Sequence, residues 1–340
     1  MKNDILTNWY NSLNLTDGEL KLLNNCERCD DKDTFDESFY QNLVNMLFNR
    51  AFHSNLDRSH WLRLSECATN LISQIFECLY DENSIVLSTM QEHTNVLKIL
   101  ENKNVHYVDF QNDTEETILE SCKHAANSYN KIIVYMSGTQ IKTGRVIDNS
   151  FFFNLKKCLG DKEIYMILDD VQGMFMIPRS YEQFDFVTGT AHSLIEGYDT
   201  GFVILKKEIL SRYNIGVENC RWISDYLPLL DIMIKRRKQI SEFHAIMEEY
   251  CHDLISENNF KIYDKQANHI FSFDCNKLPF TSNIEAMMNK YRIYIDSVDG
   301  TMRPQTSIRF RAQEVIKHFD IFDEGYSKLK ILIEILKRKQ

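Results

Sequence analysis

From residue 85 to residue 205, short apolar runs alternate with stretches of helical spacing, and few architectures accommodate that alternation. Ile85-Val86-Leu87 precedes a helical pattern over 94–102. Val105-His106-Tyr107-Val108 precedes one over 115–129, and Ile132 to Met136 precedes one over 150–159. Further apolar runs follow at Ile164 to Leu168, Phe184 to Val187 and Phe202 to Leu205. A strand buried on both faces reads as a continuous apolar run, as these do. Strands separated by helices imply crossover connections, so the expected fold is α/β, with a mostly parallel, seven-stranded-type sheet between helices. In such a sheet the chemistry collects just past the carboxyl ends of the strands. Asp169, Thr190 and His192 all fall there.

The flanks read differently. Thr16 can cap a helix through Leu20 to Leu23, and a second helix is expected from Asp36 to His53, with Phe39, Leu43, Met46 and Leu47 at helical spacing. A third is expected over Leu64 to Tyr80, with Leu71, Ile72, Ile75 and Leu79 on one side. Further on, Leu229 to Ser256 has the length of a long helix, with Pro228 just before its start. A small α+β unit follows, with strands at 269–274, 291–297 and 307–311 and a last helix at 322–337. The expected organisation is a helical segment over 1–55, a large domain over 56–220, and a connecting helix with a small α+β domain over 221–340.

The formal net charge is −10, which leaves no cationic surplus to neutralise phosphates and argues against a nucleic-acid partner. No apolar run reaches the roughly 20 residues that span a bilayer, and Met1-Lys2-Asn3-Asp4 lacks the apolar core of a signal peptide. The 9 Cys are scattered and odd in number, as for reduced thiols. A soluble cytoplasmic protein is expected. Cys26 and Cys29 form a lone CxxC with no second pair or His cluster at ligand spacing, so no metal site is expected.

Three segments carry a more specific signal: Ile167-Leu168-Asp169-Asp170-Val171-Gln172-Gly173, Phe184 through Thr190-Ala191-His192-Ser193, and Gly201-Phe202-Val203-Ile204-Leu205. Together they resemble the core of fold-type-I pyridoxal-phosphate (PLP) enzymes, in the branch of class V aminotransferases and cysteine desulfurases. The resemblance covers about residues 60 to 340. It implies that Asp169 pairs with the protonated pyridine nitrogen and that Gln172 bonds the ring hydroxyl. Glu92-His93-Thr94 resembles the segment whose His stacks on the ring, here His93. Thr190 and His192 match residues that hold the cofactor phosphate. The other half of that phosphate site would be a helix start within Leu64 to Asn70, in one of two registers. One offers Ser65 and Glu66, the other Cys67, Ala68 and Thr69; the glycine usual in the family is missing from both. Ser307-Ile308-Arg309 resembles the strand that carries a substrate-carboxylate Arg, here Arg309.

The chain departs from the pattern at Ser193, where the family has the Lys that forms a Schiff base with the cofactor. A hydroxyl cannot form an imine. Lys142 falls in the loop after Tyr135-Met136, near the expected site, but nothing in the sequence aims it there, and Lys206 and Lys207 fall at the far end of the next strand. The loop from Asp296 to Arg303, where desulfurases carry a nucleophilic Cys, has none, so cysteine desulfuration is not expected. The resemblance therefore implies a PLP-transferase-like protein that binds PLP or pyridoxamine phosphate without a covalent bond and acts on an amino acid or keto acid. It also implies a homodimer. Two alternatives stay open: a cofactor-free homologue serving as a binding subunit or using the cleft for other chemistry, and an engineered Lys-to-Ser variant of an aminotransferase-like enzyme.

Overall fold

The computed structural model describes residues 60–65, 67–140, 144–173, 177, 179–190, 201–215, 270–274, 296–297 and 307–311. The expected helices over 16–23, 36–53, 229–256 and 322–337 lie outside these residues, as do Cys26, Cys29, Lys142, His192 and Ser193. Both expected domain boundaries lie outside them too.

The first strand, β1 (His60–Ser65), leads into helix α1 (Ala68–Leu79). Then come β2 (Ser84–Thr89), α2 (Thr94–Leu100), β3 (Val105–Val108), α3 (Glu115–Ala126), β4 (Lys131–Ser137), α4 (Asn149–Leu159) and β5 (Glu163–Asp169). β6 (Phe186–Thr190), β7 (Gly201–Lys206) and a short α5 (Lys207–Leu210) close the unit. The seven strands form one sheet in the order β1-β7-β6-β5-β4-β2-β3. β3, β2, β4, β5 and β6 run parallel, while β7 is antiparallel to both β6 and β1. The mixed, mostly parallel α/β sheet expected from the sequence is what forms.

Two boundaries differ from expectation. Residues 64 and 65 belong to β1, and the helix opens only at Ala68. In His60-Trp61-Leu62-Arg63-Leu64-Ser65 apolar and polar residues alternate from Leu62 onward, which is strand periodicity, but the run is short and the strong helical pattern after it overwrites the signal. β6 begins at Phe186 rather than Phe184. The Asp185 carboxylate accepts from Met166 N–H and pairs with Lys206, so this residue serves as a loop-to-sheet clasp.

Period-two alternation divides the strand residues between the two faces. On one face α1 buries Leu71, Ile72, Ile75, Phe76 and Leu79, and α2 buries Val96 and Leu100, against Val86, Ile133, Tyr135, Ile167, Phe186, Val203 and Leu205. On the other, a run of edge-to-face rings links Phe110, Phe151, Phe152 and Phe184, with centroids 5.0, 5.6 and 5.0 Å apart. α3 is held by its ends: the Thr114 hydroxyl accepts from Thr117 N–H, acidic residues occupy the first turn, and Lys123 and His124 the last.

A separate three-stranded antiparallel sheet has the order β8 (Ile270–Asp274), β10 (Ser307–Arg311), β9 (Asp296–Ser297). β8 and β10 fall where the sequence places strands, and β9 is the end of the expected 291–297 run.

Candidate functional site

The topology brings β2, β4, β5 and β6 to one edge of the large sheet by their carboxyl ends. β7, running the other way, starts at that edge, and β1 ends there. Ser137 is the register partner of Asp169, and Asp169 of Thr188. Thr190, Gly201 and Ser65 then lie side by side across β6, β7 and β1. Residues from five strands thus line one edge.

Asp169 is the last residue of β5 and is 6% exposed. Tyr135 donates its hydroxyl to Asp169 Oδ2 at 2.5 Å, and Val171 N–H donates to Oδ1 at 3.1 Å. Burial holds the carboxyl above its usual range, opposed by those two hydrogen bonds and by the nearby His93. His93 caps α2, its Nδ1 accepting from Asn95 N–H at 3.2 Å. In the neutral ring that leaves the proton on Nε2. Gln172 sits half-buried in the turn after Asp169.

Asp170, the very next residue, has the opposite role. Tyr181 donates its hydroxyl to Asp170 Oδ2 at 2.7 Å, and Arg179 Nε lies 3.4 Å from Oδ1, an ion pair without hydrogen-bond alignment. Arg179 also donates Nη1 to Ile147 O at 2.6 Å and Nη2 to Gly138 O. Burial pushes the Asp170 carboxyl up to about 6 despite the guanidinium. Gly173 closes this turn because a Cβ there would lie 2.3 Å from Asp170 Oδ1. Asp170 therefore braces the loop that presents Asp169.

At the other end of the row, Cys67 is the N-cap of α1 and makes no side-chain capping bond. The helix start packs hard against β7: a Cβ on Gly201 would lie 2.2 Å from Ala68 N and 2.2 Å from Cys67 C. The helix opens at Ala68, so Cys67, Ala68 and Thr69 form its start and Ser65 ends β1; Glu66 lies outside the described residues. The close approach of helix and strand is possible because Gly201 carries no side chain. First-turn N–H groups and the helix dipole at that point favour an anion.

Neither a family model nor a curated protein matches the sequence. Solved structures do match the shape of the chain. A NifS-like protein, 17% identical, aligns over 95% of this chain and 96% of that one with a TM-score of 0.64. A NifS-like protein from Rickettsia africae, 16% identical, aligns over 93% and 96% with a TM-score of 0.65. The cystine C-S lyase C-DES, solved with its product cysteine persulfide, is 15% identical over 94% of each chain, with a TM-score of 0.61. The chain has the type-I PLP-enzyme fold. Identities this low establish the fold and nothing finer.

Within that fold the structure brings together Asp169, His93, Gln172, Thr190, Ser65 and Thr69 along one sheet edge. Arg309 lies on β10, paired in register with Ser272 and Asp296. Reading the sequence missed Tyr135, Ser137 and Glu92. Tyr135 and Ser137 share a face of β4, and only the β4–β5 register shows that this face meets Asp169. Among the described residues no group of His, Cys, Asp and Glu could hold a metal, and no helix is long and apolar enough to cross a membrane.

The residues present fit a PLP-type cofactor. Asp169 is a buried carboxylate whose two donors are an uncharged phenol and a backbone N–H, and no Lys or Arg pairs with it among the described residues. A buried carboxylate without a cation is costly, and a pyridinium N–H would meet the cost. Each Asp169 oxygen has a second lone pair to accept it.

Proposed function

We propose that the cleft at this sheet edge binds PLP or pyridoxamine phosphate without a covalent bond, in a transferase-like protein acting on an amino acid or keto acid. The buried carboxylate of Asp169, held by Tyr135 and Val171 at the end of β5, is the observation that carries the reading. When bound, the cofactor supplies an electron-withdrawing ring that stabilises carbanion character beside it.

The chain's own groups do the rest. Asp169 keeps the proton on the ring nitrogen through charge and a hydrogen bond. His93, anchored at Nδ1, offers a flat face for the ring. Gln172 orients the ring hydroxyl. The start of α1, with Ser65 and Thr69 on one side and Thr190 and His192 on the other, takes the phosphate dianion. Arg309 takes a substrate carboxylate with its planar fork. Ser193 leaves the cofactor free to exchange, because a hydroxyl forms no lasting bond to the aldehyde.

The test is equilibrium dialysis of the purified chain against PLP and pyridoxamine phosphate. Saturable binding of one ligand per chain, weakened at least tenfold in Asp169→Ala, is the expected result. No binding by either would replace this reading with the cofactor-free homologue that Ser193 also allows.

A further inference from the structure

The edge that carries Asp169 carries a second buried carboxyl. Glu92 lies in the turn between β2 and α2 and is 1% exposed. Ser137 donates its N–H to Glu92 Oε1 at 3.0 Å, and its hydroxyl bonds Oε2. The same Ser137 is the register partner of Asp169 on the next strand, about 4.8 Å away by ordinary sheet spacing. Neither carboxyl has a Lys or Arg partner among the described residues. The Asp169 charge works against ionisation of Glu92, and a coupled pair of buried carboxyls can retain one proton.

The surroundings decide which member keeps it. Each carboxyl meets one donating backbone N–H and one donating hydroxyl, so burial is the difference: Glu92 is 1% exposed and Asp169 6%. The Tyr135 phenol is a strong donor and a poor acceptor, because its lone pair is drawn into the ring. It suits an ionised Asp169. The Ser137 hydroxyl also donates, to Glu92 Oε2, so both Ser137 bonds favour an ionised Glu92, and its burial outweighs them. His93 lies close enough to draw Asp169 toward its charged form. The other charged groups near the pair are Asp170, which repels Asp169, and Arg179, which is committed to Asp170.

We propose that Glu92 and Asp169 form a one-proton carboxyl pair in which Glu92 holds the proton. Asp169 is then the negative member of the pair, which selects a heterocycle with one protonated ring nitrogen. Glu92 is a positioning residue: it touches no ligand and acts through Ser137 and through the charge it leaves on Asp169. Burial, opposed by the two Ser137 hydrogen bonds and reinforced by the Asp169 charge, pushes the Glu92 carboxyl up to about 8, in keeping with a proton retained at neutral pH. The ligand half of the proposal rests on the cofactor reading above; the proton's location does not.

Infrared spectroscopy of the ligand-free full chain at pH 7 tests the pair. The carbonyl stretch of a protonated carboxyl is expected in the parent. It should be lost in Glu92→Gln, kept in Asp169→Asn, and should fade as the pH rises through about 8. No such band in the parent, or a band that survives Glu92→Gln and vanishes in Asp169→Asn, overturns the assignment. If Glu92→Gln fails to fold, the parent's titration and Asp169→Asn still decide.

Titration with pyridoxamine phosphate and with its analogue carrying carbon in place of the ring nitrogen tests the selectivity. The analogue is expected to bind at least tenfold more weakly; equal affinities overturn that half. Binding without the band overturns the pair and leaves the cofactor reading standing. The band without binding of any ring overturns the cofactor reading and with it the selectivity.

Discussion

Asp169 and Asp170 show how little residue type says about role. Both are buried acids at the end of β5. One is braced by Arg179 and Tyr181, the other by a phenol and a backbone N–H alone. Removing Asp169 should therefore affect binding more than folding. Asp169→Ala is expected to weaken PLP or pyridoxamine phosphate binding at least tenfold and by more than His93→Ala does, because it removes a charge partner rather than a stacking face. Fluorescence titration of both variants checks the order, and equal affinities for parent and Asp169→Ala would sink the assignment. Gly201 makes the complementary case, where the absence of a side chain matters. Gly201→Ala puts a methyl group into the backbone of Cys67 and Ala68, so α1 must shift off β7. The expected cost is about 1–3 kcal/mol of stability by denaturant unfolding, together with loss of phosphate-dependent binding. A variant as stable as the parent would show that α1 does not seat against Gly201.

At the scale of elements, β2, β4, β5 and β7 are legible because they are largely buried on both faces and so carry long apolar runs, while edge strand β3 is only half-buried. β1 was not legible, because a six-residue alternation was absorbed into the helix pattern that follows it. The start of α1 depends on the same boundary, which is why the sequence leaves two phosphate registers open. Tyr135, Ser137 and Glu92 were illegible for a different reason. Their role is set by which strands lie side by side, and β4 sits between β2 and β5 although β3 intervenes in sequence. A helix cap, by contrast, is wholly local and can be tested alone. Thr114→Ala deletes the acceptor for Thr117 N–H at the start of α3 and should cost about 1 kcal/mol. The measurement is the denaturant midpoint, with ligand affinity unchanged because α3 supplies no site residue. An unchanged midpoint would mean that water replaces the cap without loss.

The whole molecule is expected to be a homodimer by analogy with the fold's other members, an associational warrant. Light scattering that returns only the 40.2 kDa chain mass at micromolar concentration would remove it. Its stability should also depend on pH in a direction unusual for an acidic protein. Glu92 and Asp170 titrate near about 8 and about 6 in the folded state, and Asp169 is also raised. The same groups in the unfolded chain titrate near about 4. Between those values the folded state binds more protons than the unfolded one, so stability falls as the pH rises. The contribution is fully present below about pH 4 and is lost as the pH climbs through 6 and then 8. Asp81, lowered mainly by its hydrogen bond to Lys131, works in the opposite sense but sits at the surface. At about 1.4 kcal/mol per pH unit for each proton the folded state retains, Glu92 and Asp170 give a loss on the order of a few kcal/mol between pH 5 and pH 9. Glu92→Gln keeps the acceptor for Ser137 N–H and removes the titration, so its curve should flatten above pH 6 and cross that of the parent. Urea unfolding at a fixed protomer concentration across that range checks it. Parallel curves for parent and variant would mean that Glu92 is ionised in the folded protein and that its burial is relieved by a cation outside the described residues.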